Sequence, residues 1–366
     1  MRIATFNLEN LFTRPTAMNM SNDAAGRKAI EDHAIANAIV AKAVYSPADK
    51  AKLVSLSKKY GWHNLNPPAN ALVQLQKIRG ALYRKPKNGP LEVVADGRGD
   101  WTGWFELRRD DVIWKATYNT ARVIAEVNAD VLVAVEVEDR PTLERFNAQV
   151  LDAEFECRYP FAMVIDGNDA RGIDVGILSR FPIERIQSHV YDMGASGTAI
   201  FSRDCPEFDV ILPNGERLIV LPNHFKSKRN GNDQQSMDRR RAQAEAAHAI
   251  ALAALTRSAH VLIGGDLNDT PSIGGPLSNL FLDGFHDVSD RPEYPADRPG
   301  TYKTGLAGNK LDYLISSPQL WAAVTNCGIE RRGSWHPNTW APFDTVTKAS
   351  EEASDHHCVW MDVQLA

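Results

Sequence analysis

Several strand-like runs in this chain end on side chains that can do chemistry. The most informative is Val261-Leu262-Ile263-Gly264-Gly265-Asp266-Leu267-Asn268-Asp269-Thr270-Pro271. A short apolar run bounded by turn residues reads as a buried strand. Two glycines then let the backbone turn tightly and approach a ligand, and a carboxylate and a carboxamide follow with one Leu between them. Taken alone, this is also how an ordinary Asx turn closes a strand. The same pattern recurs at other strand ends, and that recurrence points to a site. Arg2 to Phe12 reads as a strand that breaks at Asn7-Leu8-Glu9-Asn10, and Asn fits poorly inside a strand. Val131 to Val135 is an apolar run suited to burial on both faces, and Glu136 stands at its end, where a buried carboxylate calls for a partner such as a cation. Leu218 to Leu221 runs into Asn223-His224-Phe225-Lys226-Ser227-Lys228, Asp312 is embedded in Lys310 to Ser316, and Ser354-Asp355-His356-His357 leads directly onto a closing strand.

Asn and carboxylate oxygens suit a hard divalent cation rather than a soft one, and neither Cys nor clustered His competes for the role. An imidazole beside carboxylates forms an acid–base pair, because nearby negative charge raises a His pKa. A cation that neutralises charge and a general base that aims a water together make a hydrolytic site. Two identities stay open. Glu138 shares a strand face with Glu136, since residues two apart point the same way, and His357 adjoins His356.

The elements that must hold these groups belong to an ordinary soluble enzyme: 366 residues, 43% hydrophobic and 24% charged, enough for one large domain or two average ones. There is no signal-like apolar segment and no run of about 18 apolar residues, so no transmembrane segment is expected. Four scattered cysteines form no CxxC pair, and reduced thiols in a cytoplasmic protein fit best. A secreted protein whose signal peptide had been trimmed would read the same way. The net charge of −5 is uneven: residues 14–115 hold 17 Lys and Arg against 10 Asp and Glu, and the rest of the chain 24 against 36. A basic appendage on an acidic body fits polyanion contact through the appendage and a metal site in the body, although a solvated helical surface gives the same count.

The appendage, residues 13–111, reads as a mostly helical insert. Ala24 to Val44 is Ala-rich. Ser46-Pro47-Ala48-Asp49 supplies an N-cap, a first-turn Pro and an acid that open a helix to about Tyr60. Asn66-Pro67-Pro68 interrupts, Ala69 to Tyr83 is expected to be helical again, and Val93 to Leu107 to form a hairpin. In the body, Thr117 to Val127 and Arg239 to Ala254 are helices. Arginines at the start of the second oppose the helix dipole, which is tolerable if they face an anion.

Phe6-Asn7, Asp130 to Glu136, Gly176-Ile177-Leu178-Ser179-Arg180-Phe181-Pro182, Asn223-His224-Phe225-Lys226-Ser227, Gly265 to Asp269, Leu311-Asp312-Tyr313 and Ser354-Asp355-His356 together resemble the motifs of the endonuclease/exonuclease/phosphatase superfamily, in its order. His224-Phe225-Lys226-Ser227-Lys228, the later arginines and Gln243 are most similar to the bacterial extracellular-nuclease branch. The resemblance implies an α/β fold of the deoxyribonuclease I type, a four-layered α/β/β/α sandwich of two mixed sheets, here one catalytic domain over 1–366 carrying the insert at 13–111. It implies that Glu136 binds Mg²⁺, Mn²⁺ or Ca²⁺ with Asn7 and Asp355 close to the same ion. Asp266 would orient or deprotonate water and Asn268 would hold a phosphate oxygen. His356, fixed by Asp312, would contact the scissile phosphate, and His224 would lie near the leaving oxygen. Arg171 and Lys226 would bind substrate. The family often has Gln before the metal-binding Glu, where this chain has Val135.

The resulting expectation is a divalent-metal-dependent phosphodiester hydrolase acting on nucleic acid, DNA first, with no protein partner. The insert is expected to cover one side of the active-site cleft. The alternative is a phosphoesterase for an inositol phosphate, a sphingomyelin-like head group or a nucleotide, since one fold hosts all of these. A membrane-active form would carry an exposed aromatic hairpin, for which Trp101-Thr102-Gly103-Trp104-Phe105 is the candidate. A non-catalytic scaffold is disfavoured by the completeness of the motif set.

Overall fold

The structure, a computed structural model, describes all residues except 12–16, 18–22, 65–67, 69–70, 109–113, 170, 195–196, 229–232 and 366. The chain divides into two compact units, residues 1–12 with 112–366, and residues 13–111. Strand β1 (Arg2–Leu11) opens the first unit. The second holds α1 (Asp23–Val40), α2 (Pro47–Tyr60), β2 (Val73–Arg79), β3 (Tyr83–Arg84), β4 (Glu92–Val93) and β5 (Thr102–Leu107). The first unit resumes with α3 (Trp114–Val127), β6 (Val131–Val137) and α4 (Arg140–Phe146), which a π-helical stretch joins to α5 (Ala153–Phe155). There follow β7 (Phe161–Ile165), β8 (Asp174–Ser179), β9 (Ile183–Gln187), β10 (Glu207–Ile211), β11 (Arg217–His224) and α6 (Gln234–Ala254). The chain closes with β12 (His260–Asp266), β13 (His286–Asp287), β14 (Asp312–Ser316), α7 (Pro318–Ala322), β15 (Val324–Glu330) and β16 (Cys358–Val363).

The first unit has two six-stranded sheets, ordered β15-β16-β1-β6-β8-β7 and β13-β14-β12-β11-β10-β9. Each contains one parallel pair, β1/β6 and β11/β12, among antiparallel neighbours. The sheets are mixed. Period-2 alternation sends Val131, Val133 and Val135 inward, where with Ile3, Val175 and Ile177 they meet Phe208, Val210, Val220, Leu262 and Leu314 of the other sheet. The intervening Leu132 and Ala134 face Val123, Ile124 and Val127 of α3. On the opposite outer face, Ile219, Leu221, Val261 and Ile263 pack against Ala244, Ala247 and Ala251 of α6. Helix, sheet, sheet and helix make four layers, and β6 reads as continuously apolar because both of its faces are covered.

Helix α6 begins at Gln234 behind an Asp233 N-cap that accepts from the Ser236 amide at 2.8 Å. The arginines therefore lie in the second turn, and the conflict with the helix dipole is weaker than the sequence suggests. No described helix is long and apolar enough to cross a membrane.

The insert unit has its own core, built on Leu53, Tyr60, Trp62, Trp101 and Phe105. Helix α2 opens with a complete capping box: the Ser46 hydroxyl accepts from the Asp49 amide at 3.2 Å, and the Asp49 carboxylate accepts from the Ser46 amide at 3.0 Å. Two expectations fail here. The stretch expected to be helical contains β2, because Val73 and Leu75 alternate with Gln74 and Gln76 and present their apolar face to Leu107 and Phe105 of β5; alternation over a short run outweighs helix propensity. The expected hairpin also differs, since Val93 pairs with Tyr83 and Thr102–Leu107 pairs with β2. Asn66 and Pro67 lie outside the described residues.

Gly265 adopts φ 133° one residue before Asp266, and a Cβ there would lie 2.0 Å from the Asn223 carbonyl oxygen on the neighbouring strand. Only Gly lets β11 and β12 approach this closely. Gly265→Ala should lose about 2 kcal/mol or more of stability, read as a lower urea midpoint by tryptophan fluorescence. An unchanged midpoint would contradict this account of the strand end.

Candidate active site

Strand register explains how distant residues meet. His224 pairs with Asp266 across β11/β12, and Asp266 pairs with Asp312 across β12/β14. Directly opposed residues point to the same face of a sheet, so these three side chains stand in a row at one edge. The other sheet contributes Asn7, whose register partner is Val135. The pairing slips beyond Asn7 and again between Val135 and Val137, and Glu136 at the slip has φ 62°. Such a bulge re-aims a side chain, and Glu136 Oε1 reaches 3.9 Å from His224 Nε2. Asn7 Nδ2 donates to Asp266 Oδ2 at 3.3 Å and ties the edges of the two sheets together.

The Asp355-His356 step is held by main-chain bonds. Lys303 N donates to the Asp355 carbonyl at 2.8 Å and His357 N to the Thr301 carbonyl at 2.7 Å. His356 Nδ1 pairs with Asp312 Oδ2 at 2.9 Å, and the Thr301 hydroxyl donates to the same oxygen at 2.6 Å. His356 Nε2 lies 3.8 Å from Asp266 Oδ2 and 4.0 Å from Asp355 Oδ1. Asn268, at φ 52°, donates its amide N–H to Asp266 Oδ1 at 2.8 Å, while its Nδ2 rests on the Phe225 carbonyl at 3.3 Å. Asn7, Glu136, His224, Asp266, Asn268, Asp312, Asp355 and His356 thus come together.

Arg171 grips Asp169 through Nε at 3.1 Å and Nη2 at 2.8 Å, and its charge acts on Glu136. Lys226 is fixed through its backbone, its N–H donating to Gln243 Oε1 at 2.9 Å and its carbonyl accepting from Arg240 Nη1 at 3.2 Å. Among the described contacts its ammonium reaches none of the site carboxylates. The anion that faces the α6 arginines is Asp269: buried Arg240 bonds it at 2.8 Å and Lys228 at 2.6 Å. Arg241 pairs with Asp238 at the surface, and Arg239 donates to the Ala199 carbonyl at 3.4 Å. Arg229 lies outside the described residues.

The ionisable groups are driven apart. Burial pushes Asp266 up to about 7, with the Asp312 and Glu136 charges adding to it and the His356 imidazolium pulling back. Burial opposes the His356 imidazolium, but the Asp312 and Asp266 carboxylates outweigh it and push it up to about 10. His224 moves well below its ordinary value, first through burial and then through the charges of Arg203 and His356, and its Nδ1 is buried without a partner. One imidazole is therefore charged and the other neutral, a division that assigns acid and acceptor roles. His357 is a structural residue, with Nδ1 on Ser334 Oγ at 3.1 Å and Nε2 on the Lys303 carbonyl at 2.9 Å.

Sequence reasoning missed two residues of this site. Arg203 is 3% exposed and bonds Asp169 at 3.0 Å, and its charge acts on His224, Glu136 and Asp266; a lone Arg in a loop gives no sequence signal. Glu9 Oε2 accepts from the Asp355 amide at 3.0 Å. Loss of hydration, then the charges of Asp355, Glu352 and Glu136, push it up to about 7. Its place in the Asn7 to Asn10 break was the available signal.

A hard cation fits the Asn7 side. Among the described contacts the Asn7 carbonyl oxygen accepts the Glu9 amide at 3.0 Å, leaving a lone pair, and the charges of Asp355 and Glu136 both act on Glu9, a repulsion that a hard cation would relieve. Asp266, Asp312 and His356 also bring ligand atoms within 4.8 Å of one another. Asp312 and His356 are bonded to each other at 2.9 Å, which suits an acid–base relay.

A family model described as the Endonuclease/Exonuclease/phosphatase family matches residues 116–356. No curated protein matches the chain. Similar solved structures include truncated TDP2 of Caenorhabditis elegans, 17% identical over 69% of this chain and 91% of that one, TM-score 0.47. An endonuclease/exonuclease/phosphatase of Beutenbergia cavernae is 17% identical over 68% and 66%, TM-score 0.47. Beta toxin of Staphylococcus aureus is 17% identical over 68% and 93%, TM-score 0.45.

Because the folded His356 is raised from 6.5 to about 10, its contribution to stability is whole below pH 6.5 and is lost as pH rises toward 10. Asp312→Asn should bring the His356 titration, followed by NMR in EDTA, down by more than one unit and flatten this alkaline loss of stability. A His356 titration unchanged by Asp312→Asn would contradict the pairing.

Proposed function

The chain belongs to the endonuclease/exonuclease/phosphatase family, and we propose that within it this protein is a divalent-metal-dependent phosphodiester hydrolase that cleaves DNA. The observation that carries the reading is Asp266: a carboxylate 2% exposed, bonded to Asn7, within 4 Å of two imidazoles, and raised to about 7. A general base works best when its pKa lies near the working pH.

Asp266 holds the attacking water and takes its proton. Asn268 can exchange its weak 3.3 Å bond to the Phe225 carbonyl for a phosphoryl oxygen. His356, kept cationic by Asp312, donates to a second phosphoryl oxygen, where negative charge grows in the transition state. Neutral His224 stands opposite, near the leaving oxygen, and the half-exposed Arg171 offers a further cation to the phosphate. Asn7, Glu136 and Asp355 would hold Mg²⁺ or Mn²⁺, which when bound neutralises phosphate charge and polarises the P–O bond. DNA is favoured as substrate by the basic insert on an acidic body. Of the aromatic stretch that a membrane-active form would expose, Trp101 and Phe105 are each 1% exposed in the insert's core, while Trp104 is 44% exposed.

Plasmid and oligonucleotide incubated with Mg²⁺ should be cut, cutting should stop in EDTA, and Asp266→Asn should lower kcat/KM roughly 10²-fold or more. Cutting that ignores chelator or Asp266→Asn, or turnover confined to inositol phosphates or sphingomyelin, would contradict the proposal.

A further inference from the structure

The insert unit carries a surface of its own. In the β2/β5 ribbon, Val73 and Leu75 with their partners Leu107 and Phe105 form the face turned to the core. The register pairs Gln74 with Glu106, Gln76 with Trp104 and Arg79 with Thr102 on the other face. There Trp104 is 44% exposed. Residues 73–91 contain five basic side chains and no acidic one. Arg84 is paired with Glu92 at 2.8 Å; Lys77, Arg79, Lys85 and Lys87 are exposed and make no ion pair among the described residues.

We propose that this ribbon binds a single-stranded nucleic-acid segment, with a base stacked on Trp104, a backbone phosphate neutralised by Arg79 on the same face, and the other exposed cations of residues 77–87 adding longer-range attraction. An indole left in water loses the benefit of burial unless a partner covers it. The four cations select a polyanion, and the flat apolar ring selects a ligand with planar faces. Single strands offer both, because their bases are free to leave the stack, whereas a duplex keeps its bases paired. A bilayer is the poorer match: two glutamines, a threonine and Glu106 share the face with Trp104, and insertion would strip them of water. The inference rests on the reading of the protein as a nuclease only for the choice of polymer; it concerns binding, not hydrolysis.

The test uses the full-length protein in EDTA, where binding is read without cleavage, and the anisotropy of a labelled oligothymidylate. Trp104→Ala should weaken binding roughly 10-fold. Arg79→Ala should weaken it and reduce the slope of log K against log salt by about 1. These side chains are exposed, so the variants should keep the wild-type circular dichroism and, with Mn²⁺, the wild-type turnover of bis(p-nitrophenyl) phosphate. Oligonucleotide affinity unchanged in both variants would overturn the inference, as would equal affinity for duplex or tighter, Trp104-dependent binding to phosphatidylglycerol vesicles. Trp104-dependent binding in a protein that cleaves no phosphodiester would remove the proposed activity and leave the ribbon assignment standing. Cleavage of DNA with binding indifferent to the ribbon would do the reverse.

Discussion

A carboxylate removed from water must find positive charge, and that requirement organises the catalytic unit around Asp266. Its neighbour in register is another buried carboxylate, Asp312, and Glu136 approaches from the other sheet. Asn7 contributes only a neutral amide, and His224 is neutral as well. Among the groups that act most strongly on Asp266, the His356 imidazolium and then the Asn268 amide N–H favour its charged form, and His356 does so because Asp312 keeps it protonated. The arrangement is poised: remove any member and the remaining buried charges lose their partners.

The fold makes this crowding affordable by placing it where strand ends converge. In each sheet the one parallel pair sends two strands to the same edge, and the carboxyl ends of parallel strands are where α/β proteins collect their ligands. Gly265 lets β12 close on β11 one step before Asp266, and the slip at Glu136 turns a side chain that strict alternation would aim elsewhere. A rigid four-layered core behind the edge keeps distances of 3 to 4 Å among groups from six strands and loops.

Much of this was legible because the catalytic unit writes its geometry locally. Apolar runs that stop at polar residues marked β1, β6, β11, β12 and β14, and family resemblance supplied their order and the sandwich. What stayed hidden depends on contacts across the fold. Whether Glu136 or Glu138 enters the site is decided by a bulge, and alternation alone puts both on one face. Arg203 and Glu9 matter through charges that chain distance conceals. The anion that Arg240 faces, Asp269, lies 29 residues away in the chain, and no local pattern announces it. In the insert, Gln74, Gln76, Lys77 and Arg79 of β2 suit a helix as well as a strand, and only its pairing with β5 gave the alternation meaning.

The account turns on one ion position, beside Asn7, Glu136 and Asp355 and apart from the Asp312–His356 relay. Anomalous diffraction from crystals soaked in Mn²⁺ tests it most directly. The account predicts a peak in contact with the Glu136 carboxylate, next to Asn7. A peak enclosed instead by Asp266, Asp312 and His356, or no peak near any of these residues, would contradict it.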